Sequence, residues 1–381
     1  MAEWRTTTNL IDVSQIVSTS ADTIAFTALK AKKGILEPRL LYAGETQKAL
    51  DYLGYPDSDY PAIQDVLNVV KAYDCYVSAP FDTASAIHGG VFVTKTGSVP
   101  FASGLDNAEI TDFSDITQEE EIGTGDGTTT TFNFTTQLFD YYTDLSIDIL
   151  VDDVSQSVVV SSGDTETLST TGGDSGTFVK ASGTLEYTFA TAPSTDAVIK
   201  VQYTIDMSSD CYFALISKGA QTDDIAVTVE DYNSAGQFTL NMYRQDYDDS
   251  TSYNEFTDSP YTVSIISGDK DGYGNNVYIE DVFDEDSAWY ISVALNLTTF
   301  DTFTDDTDYI DFAGGDRGDD ISASDLVEGF DYLSDADTYS DIGIVFDTSA
   351  ESTVVTEFET LRGTDSSPGS QYRTKFLVPC A

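Results

Sequence analysis

The sequence predicts a mixed α/β, or α+β, core that carries an inserted all-β sandwich or barrel domain. Two helical patterns alternate with strand-like segments near the N-terminus, and a similar alternation returns in the last third of the chain. Between these parts, runs of β-forming residues are punctuated by Gly, Asp, Ser and Thr, with almost no helical signal. We therefore expect a polar, Thr-rich N-terminal segment at 1–17, a first core part at 18–118, a β-rich surface insert at 119–208 and a second core part at 209–381.

The first core part contains two helical patterns between strands. In PAIQDVLNVVKAYD (61–74), apolar residues recur at the i, i+3, i+4, i+7 spacing of a helix that buries one face, and the early proline suits a first helical turn. The segment GETQKALDYLG (44–54) gives the other helix, which ends at a glycine. Strands are predicted at 23–29, 39–43, 75–80 and 90–96.

The insert follows the polar run QEEEIGTGDGTTTT (118–131) and contains predicted strands alone. Turn residues separate these strands by roughly 8–12 residues, which is typical of a small sandwich or barrel. In the second core part, helices are predicted at 322–333 and 352–363. Strands of the second core part are predicted at 211–217, 224–231, 237–244, 261–266, 275–282, 289–295, 342–347 and 375–381.

Charge excludes several kinds of partner. The 381 residues include 66 Asp and Glu against 17 Lys and Arg, a formal net charge of −49, which argues against binding nucleic acid or anionic lipid. Residues 1–100 carry a net −3 and the remainder −46. Aromatic residues make up 12%, which indicates a folded chain. The acidity indicates either a solvated surface suited to high salt, as in a marine or halophilic source, or a set of divalent-cation sites.

Histidine and cysteine usage excludes further classes of site. A single histidine, His88, cannot form a histidine triad or a paired-histidine metal site within one chain. Cys75, Cys211 and Cys380 are widely spaced and form no CxxC pair, so we expect neither a zinc cluster nor a disulfide framework, which suits assembly in a reducing cytoplasm. The sequence also shows neither a membrane-spanning apolar run nor a signal peptide at MAEWRTTTNL.

Several weak motifs occur in a recognisable order. Residues 18–56 run from a Ser/Thr-rich stretch through an apolar strand, a Lys-Gly turn, a Glu-Pro pair, a second strand and a helix. The helix at 61–74 and the strand CYVSAP follow. Later, KDGYGNN (270–276) precedes VYIEDVF and WYISVAL, and AGGDRGDD (313–320) precedes a helix. This order resembles the tail sheath protein of contractile, myovirus-type bacteriophages, over roughly 17–105 and 209–381.

The resemblance implies a structural, non-enzymatic virion subunit without a cofactor. Such subunits assemble in the host cytoplasm into six-fold rings and a helical sheath around a tail tube, between a baseplate and a tail terminator, and contraction drives the tube through the host envelope. Residues 1–17 would be a linking arm that adds a strand to a neighbour's sheet. Sheath subunits normally continue past the strand equivalent to 375–381 into a C-terminal domain, so we expect a shortened chain, a split gene product or a divergent subunit.

An alternative function belongs to another class of protein. The insert, rich in Tyr, Gly, Asp and Thr, also suits a carbohydrate- or cell-surface-binding β-sandwich, such as an adhesin or a spike component. Neither interpretation includes nucleic-acid binding or membrane insertion. An acidic glycoside hydrolase ranks third, because spacing alone singles out no pair of carboxylates.

No catalytic, cofactor-binding or metal-binding residue is assigned from the sequence. His88 is expected to be a loop or packing residue, and Gly272, Gly274, Asn275 and Asn276 to serve backbone geometry. The acidic stretch 301–320, with Asp305, Asp306 and Asp308, is a weak calcium candidate because it lacks the EF-hand spacing. GTGDGT (123–128) is neither a P-loop nor a dinucleotide motif, and the RGD at Arg317–Asp319 is a chance match.

Overall fold

Antiparallel strands dominate the computed structural model. It describes residues 24–81, 86–105, 110–136, 138–217, 224–230, 236–283, 289–293, 306–316, 320–335, 342–349, 352–354, 356 and 375–377. The predicted arm at 1–17, most of the predicted helix at 352–363, Cys380 and the RGD triplet lie outside these residues.

The strands and helices follow one another along the chain in three groups. The first group is β1 (Ile24–Ala28), β2 (Ile35–Leu41), α1 (Thr46–Leu53), α2 (Ala62–Val70), β3 (Cys75–Ala79), β4 (Gly90–Thr94) and β5 (Gly97–Pro100). The second is β6 (Ile116–Thr124), β7 (Thr131–Thr135), β8 (Asp148–Val151), β9 (Val154–Ser155), β10 (Val159–Ser161), β11 (Thr165–Ser169), β12 (Ser175–Val179), β13 (Thr184–Thr188) and β14 (Val198–Ile205). The third is β15 (Cys211–Ser217), β16 (Ile225–Glu230), β17 (Gln237–Gln245), β18 (Tyr253–Glu255), β19 (Tyr261–Ser264), α3 (Ile279–Val282), β20 (Trp289–Val293), β21 (Asp306–Asp311), α4 (Ala323–Asp331), β22 (Ile342–Phe346) and β23 (Lys375–Leu377).

The predicted α/β or α+β core is wrong. Among the described residues, strand outnumbers helix by more than two to one, and most sheets are antiparallel. The physical reason lies in the second core part, where consecutive β-forming segments pair with one another as hairpins instead of alternating with helices. The predicted strand at 275–282 is also wrong, because its second half forms the short helix α3.

One sheet joins the two ends of the described chain. Its order is β2-β3-β1-β22-β23, with β22 parallel to β1 and β23 parallel to β22. Helices α1 and α2 pack their apolar residues on one face, and α4 packs Phe330 against Phe26 on the other. Gly329 permits this close approach, because a Cβ there would lie 2.8 Å from the Cβ of Ala28. We call this the helix-flanked sheet.

The insert contains two further sheets. Their orders are β10-β11-β12-β13-β7 and β6-β14-β8-β9, and every pairing in them is antiparallel. Buried side chains from both sheets, including Phe178, Leu185, Ile149 and Ile199, belong to one apolar cluster. The insert leaves and rejoins the chain at one place, because Ile116 at the start of β6 pairs with Ile205 at the end of β14.

Two further sheets complete the described part of the fold. The order β20-β15-β4-β5 surrounds β15, whose seven residues are all buried. The other sheet has the order β18-β17-β16-β21, and β19 also pairs with β17. We call it the β16–β17 sheet. Its inward residues alternate along β17 as Phe238, Leu240 and Met242, which is the period-2 pattern of a half-buried strand.

Candidate functional site: a buried charge cluster

Four charged side chains meet where helix α1 approaches the β16–β17 sheet. Asp51 belongs to α1, and Lys33 lies in the turn between β1 and β2. Asp224 precedes β16, and Arg244 lies near the end of β17. Each of the four is more than nine-tenths buried. We call this group the buried charge cluster.

Arg244 and Asp51 form the centre of the cluster. The Nη1 of Arg244 donates to Oδ1 of Asp51, and its Nη2 donates to Gln47 Oε1 at 3.1 Å. The other carboxylate oxygen of Asp51 accepts the backbone N–H and the hydroxyl of Thr257, both at 2.9 Å. The Arg244 guanidinium also lies 5.0 Å from the ring centroid of Tyr55. Both oxygens of the carboxylate are therefore satisfied, as a buried charge requires.

Lys33 and Asp224 form the second pair. The Lys33 ammonium lies 3.3 Å from Oδ2 of Asp224 and donates to the carbonyl oxygen of Asp51 at 3.4 Å. It also lies 5.4 Å from the ring centroid of Phe256, within the range of a cation–π contact. The Oδ1 of Asp224 has no hydrogen-bond partner in the described structure. This pair is thus less completely satisfied than the pair of Arg244 and Asp51.

Burial shifts the titration of two members of the cluster. Desolvation lowers the pKa of Lys33, and the neighbouring Asp224 partly offsets this. Desolvation also raises the pKa of Asp51, and the Thr257 hydrogen bond and Arg244 oppose the shift. Two cations facing two anions keep the formal charge of the cluster balanced. The arrangement can fix the orientation of α1 on the β16–β17 sheet. Because the four charged groups are buried, a substrate has no access to them.

The sequence held a signal for this cluster that we missed. Arg244 continues the inward alternation of Phe238, Leu240 and Met242, so its position on β17 points into the core. A basic residue at an inward position requires a buried acidic partner. The partner itself could not be found from local patterns, because Asp51 is 193 residues away.

His88 lies at a buried position, and its ring contacts are those of a packing residue. Its Nδ1 lies 2.8 Å from the carbonyl oxygen of Ser217, so this nitrogen carries the proton. Its ring packs edge-on against Phe81 at 6.0 Å. Desolvation lowers the pKa of His88, which favours the neutral form.

The loop at 270–276 is organised by an aspartate. The Oδ1 of Asp271 accepts the backbone N–H groups of Tyr273 and Asn275, both at 2.8 Å, and its Oδ2 accepts the Asn275 side chain. Gly274 has φ +90°, as expected for a turn glycine. The expectation fails at Gly272, where φ is not positive and a Cβ would meet nothing. The side chain of Asn276 accepts from Lys270 at 2.9 Å.

The acidic stretch contributes a strand to the β16–β17 sheet. Strand β21 covers Asp306–Asp311, whereas Asp305 lies outside the described residues. Asp308 is exposed. Within the described ranges, no three His, Cys, Asp or Glu side chains are grouped so that they could hold a metal ion.

The segment GTGDGT (123–128) contains the last two residues of β6 and the turn that follows them. The Oδ1 of Asp126 accepts the backbone N–H of Thr128 at 2.7 Å and that of Thr129 at 2.5 Å. Gly125 packs so closely on the carbonyl of Ser194 that a Cβ would lie 2.2 Å from that oxygen. These contacts account for Gly125 and Asp126 in this motif. The thiols of Cys75 and Cys211 are free and buried, and burial raises the pKa of both.

An open cleft of about 740 Å³ is lined by residues of β6 and β14 and by the segments 102–105, 110–115 and 314–316. Carboxylates dominate its charged lining, with Lys200 as the base among the lining residues. That lysine pairs with Asp153 at 2.6 Å and with Glu119 at 3.8 Å. The lining shows no nucleophile-and-base arrangement, and we assign no chemistry to it.

Comparisons with known proteins give a weak structural similarity. No protein-family model matches the chain, and no curated protein matches it. The crystal structure of a sheath tail protein from Desulfitobacterium hafniense is similar with a TM-score of 0.32 and 11% sequence identity. The similarity covers 90% of this chain and 47% of that one, so the chain spans about half the length of that protein. A TM-score this low carries no argument about function. In the described part of the chain, no helix is long and apolar enough to cross a membrane.

Proposed function

We propose that the chain is a structural subunit of a contractile tail sheath and has no catalytic role. The observation that supports this proposal best is the helix-flanked sheet. The two segments whose motif order resembles sheath subunits lie at opposite ends of the chain, and strands β1, β3 and β22 bring them into one sheet. The resemblance therefore involves parts of the chain that also belong together in space.

The fold suits a subunit that transmits force as one body. Contraction requires subunits to move against one another while each keeps its own fold. The helix-flanked sheet joins the first and the last described strands, and the buried charge cluster fixes α1 on the β16–β17 sheet. The insert is joined through the paired residues Ile116 and Ile205, so it can project from the subunit without interrupting the remaining sheets.

The proposed partners follow from this role. They are further copies of the chain in six-fold rings, a tail tube inside them, and a baseplate and a terminator at the two ends. The proposed location is the virion tail, after assembly in the host cytoplasm. A net charge of −49 would keep unassembled subunits apart at low salt and permit closer packing as salt screens it.

Immunogold electron microscopy tests the proposal. Antibodies raised against the purified chain are applied to virus particles from lysates of the source host. We expect gold particles along the whole length of the tails, in both extended and contracted particles. Label confined to fibres or spikes would instead support the carbohydrate- or cell-surface-binding alternative, and label on cells without label on particles would overturn the sheath proposal.

A further inference from the structure

Three tyrosines form a cluster on the outer face of the β16–β17 sheet. Tyr309 stacks on Tyr253 with ring centroids 4.4 Å apart, and Tyr243 meets Tyr309 edge-on at 4.8 Å. The hydroxyl of Tyr253 donates to Asp311 Oδ1 at 2.5 Å. This bond connects β18 to β21 across the two strands between them. We call the three rings the tyrosine cluster.

The cluster leaves aromatic surface open to solvent. Tyr309 is 48% exposed, whereas Tyr243 and Tyr253 are half-buried. Ala226 pairs with both Tyr243 and Asp311, so its small side chain lies on the same face, where it is fully buried. The tyrosines therefore form a fixed surface above a small residue, and the lateral ring contacts hold their orientation.

Carboxylates surround the cluster on the same face. Glu255 pairs with Tyr243 across the sheet, Glu230 lies four residues along β16 from Ala226, and Asp311 holds Tyr253. None of these three acids takes part in an ion pair among the described residues. The base contributed by the described strands of this sheet is Arg244, which lies on the opposite face in the buried charge cluster.

We propose that the tyrosine cluster is a docking site for an arginine-bearing segment of a partner protein. A guanidinium is planar, so it can stack on the exposed ring of Tyr309 while it donates hydrogen bonds to the neighbouring carboxylates. Asp311 accepts from Tyr253 and Glu230 accepts from Thr228, but no described base neutralises these carboxylates or Glu255. Their negative charge complements a cation and gives a neutral sugar no such advantage. A second copy of the chain carries the same net charge of −49, which opposes its approach to this acidic face, so the arginine-bearing segment is expected to come from another protein. This inference does not depend on the sheath proposal.

Binding of a short peptide tests the docking site. The probe is fluorescein-labelled Gly-Arg-Gly-Arg-Gly-Arg, and its control carries citrulline in place of arginine, which keeps the shape and removes the charge. Fluorescence anisotropy measures binding at about 0.15 M salt, a concentration that screens long-range attraction to the acidic surface. We expect the variant Tyr309→Ala to weaken arginine-peptide binding by about tenfold and Tyr309→Phe to retain it, because the ring provides the cation–π contact.

A matched variant separates docking from general attraction to an acidic protein. Tyr273→Ala removes a tyrosine that is 95% exposed in the loop at 270–276, with the same change in composition and charge. We expect Tyr273→Ala to bind as the unchanged protein does, and thermal unfolding to show that both variants are folded. Equal affinities of Tyr309→Ala and Tyr273→Ala, or equal binding of the arginine and citrulline peptides, would overturn the proposal.

Discussion

Arg244 of strand β17 donates a hydrogen bond to Asp51 of helix α1, and the two residues are 193 positions apart in the chain. Both are almost fully buried, so each charge is stabilised by the other and not by water. Their contact connects the helix-flanked sheet to the β16–β17 sheet. The fold is thus fixed at this junction by a paired charge as well as by apolar packing.

Removing one partner of this pair should destabilise the protein strongly. The substitution Asp51→Ala leaves Arg244 buried without its carboxylate, and the free energy of unfolding is expected to fall by about 3–5 kcal/mol. Urea unfolding followed by circular dichroism measures the change. The double variant Asp51→Leu with Arg244→Met removes both charges, and we expect it to recover most of the loss.

The matched control for this experiment is the ion pair of Lys48 and Asp258. Lys48 Nζ and Asp258 Oδ2 lie 3.0 Å apart, but the two side chains are 21% and 41% exposed. Solvent screens such a pair, so Asp258→Ala should cost less than about 1 kcal/mol. Equal losses from Asp51→Ala and Asp258→Ala would contradict the assignment of a special role to the buried charge cluster.

The turn aspartate Asp126 should contribute a pH-dependent part of the stability. The backbone N–H of Thr129, followed by the Thr129 hydroxyl and the Thr128 N–H, holds the pKa of this exposed carboxyl well below its usual range. A lowered folded-state pKa contributes stability that is present above about pH 4 and is lost as the pH falls through the folded-state value. The difference in stability between the unchanged protein and Asp126→Asn should therefore shrink below about pH 4.

Urea unfolding of the two proteins at several pH values checks this prediction for Asp126. Subtracting the unfolding free energies of the two proteins at each pH removes the pH dependence that all the other acidic residues contribute equally to both. Asp164→Asn, at an exposed position in another turn of the insert, provides the control for a simple loss of one charge. A difference between the unchanged protein and Asp126→Asn that stays constant down to pH 3 would show that the hydrogen bonds of Asp126 do not stabilise its charged form.

Salt should stabilise the protein by general screening. Residues 101–381 carry 46 of the 49 net negative charges, and their repulsion opposes compaction. Raising the ionic strength from about 0.01 M to about 1 M shortens the Debye length from about 30 Å to about 3 Å, so the melting midpoint should rise. Sodium chloride and calcium chloride should act alike at matched ionic strength.

Specific calcium sites predict a different result for the same experiment. The melting midpoint would then be unchanged by sodium chloride and would rise to a plateau at low-millimolar calcium. The triple variant Asp305→Asn, Asp306→Asn and Asp308→Asn would abolish that rise. Such a result would contradict general screening and would show that the acidic stretch 301–320 binds calcium.

The insert should be removable without loss of the remaining fold. Glu119 and Gln202 face each other in the β6–β14 pair, so an Asn-Gly turn can replace residues 120–201 and close a short hairpin. This design retains Gln118, whose Oε1 accepts the backbone N–H groups of Ala102 and Ser103. We expect one cooperative thermal transition in the shortened protein. Loss of that transition would show that the apolar cluster shared with the insert is needed for folding.

Local pattern identified many elements, and their positions in the fold depended on distant contacts. Helix α2 at Ala62–Val70 confirms the helical spacing predicted within 61–74, because its apolar side chains, including Ile63 and Val66, are buried. Strand β22 confirms the strand predicted within 342–347. The fold class was predicted wrongly, because periodicity shows which face of a strand is buried and does not show which strand lies beside it.

The sequence by itself determined the acidity of the surface, the scarcity of histidine, and the approximate bounds of elements such as α1 and β17. Only the tertiary structure placed β22 beside β1, Arg244 on Asp51 and Tyr309 on Tyr253. The physical reason is that charge and hydrophobic period are properties of a local segment. The pairing of strands and the neutralisation of a buried charge are instead decided by contacts between segments that can be hundreds of residues apart.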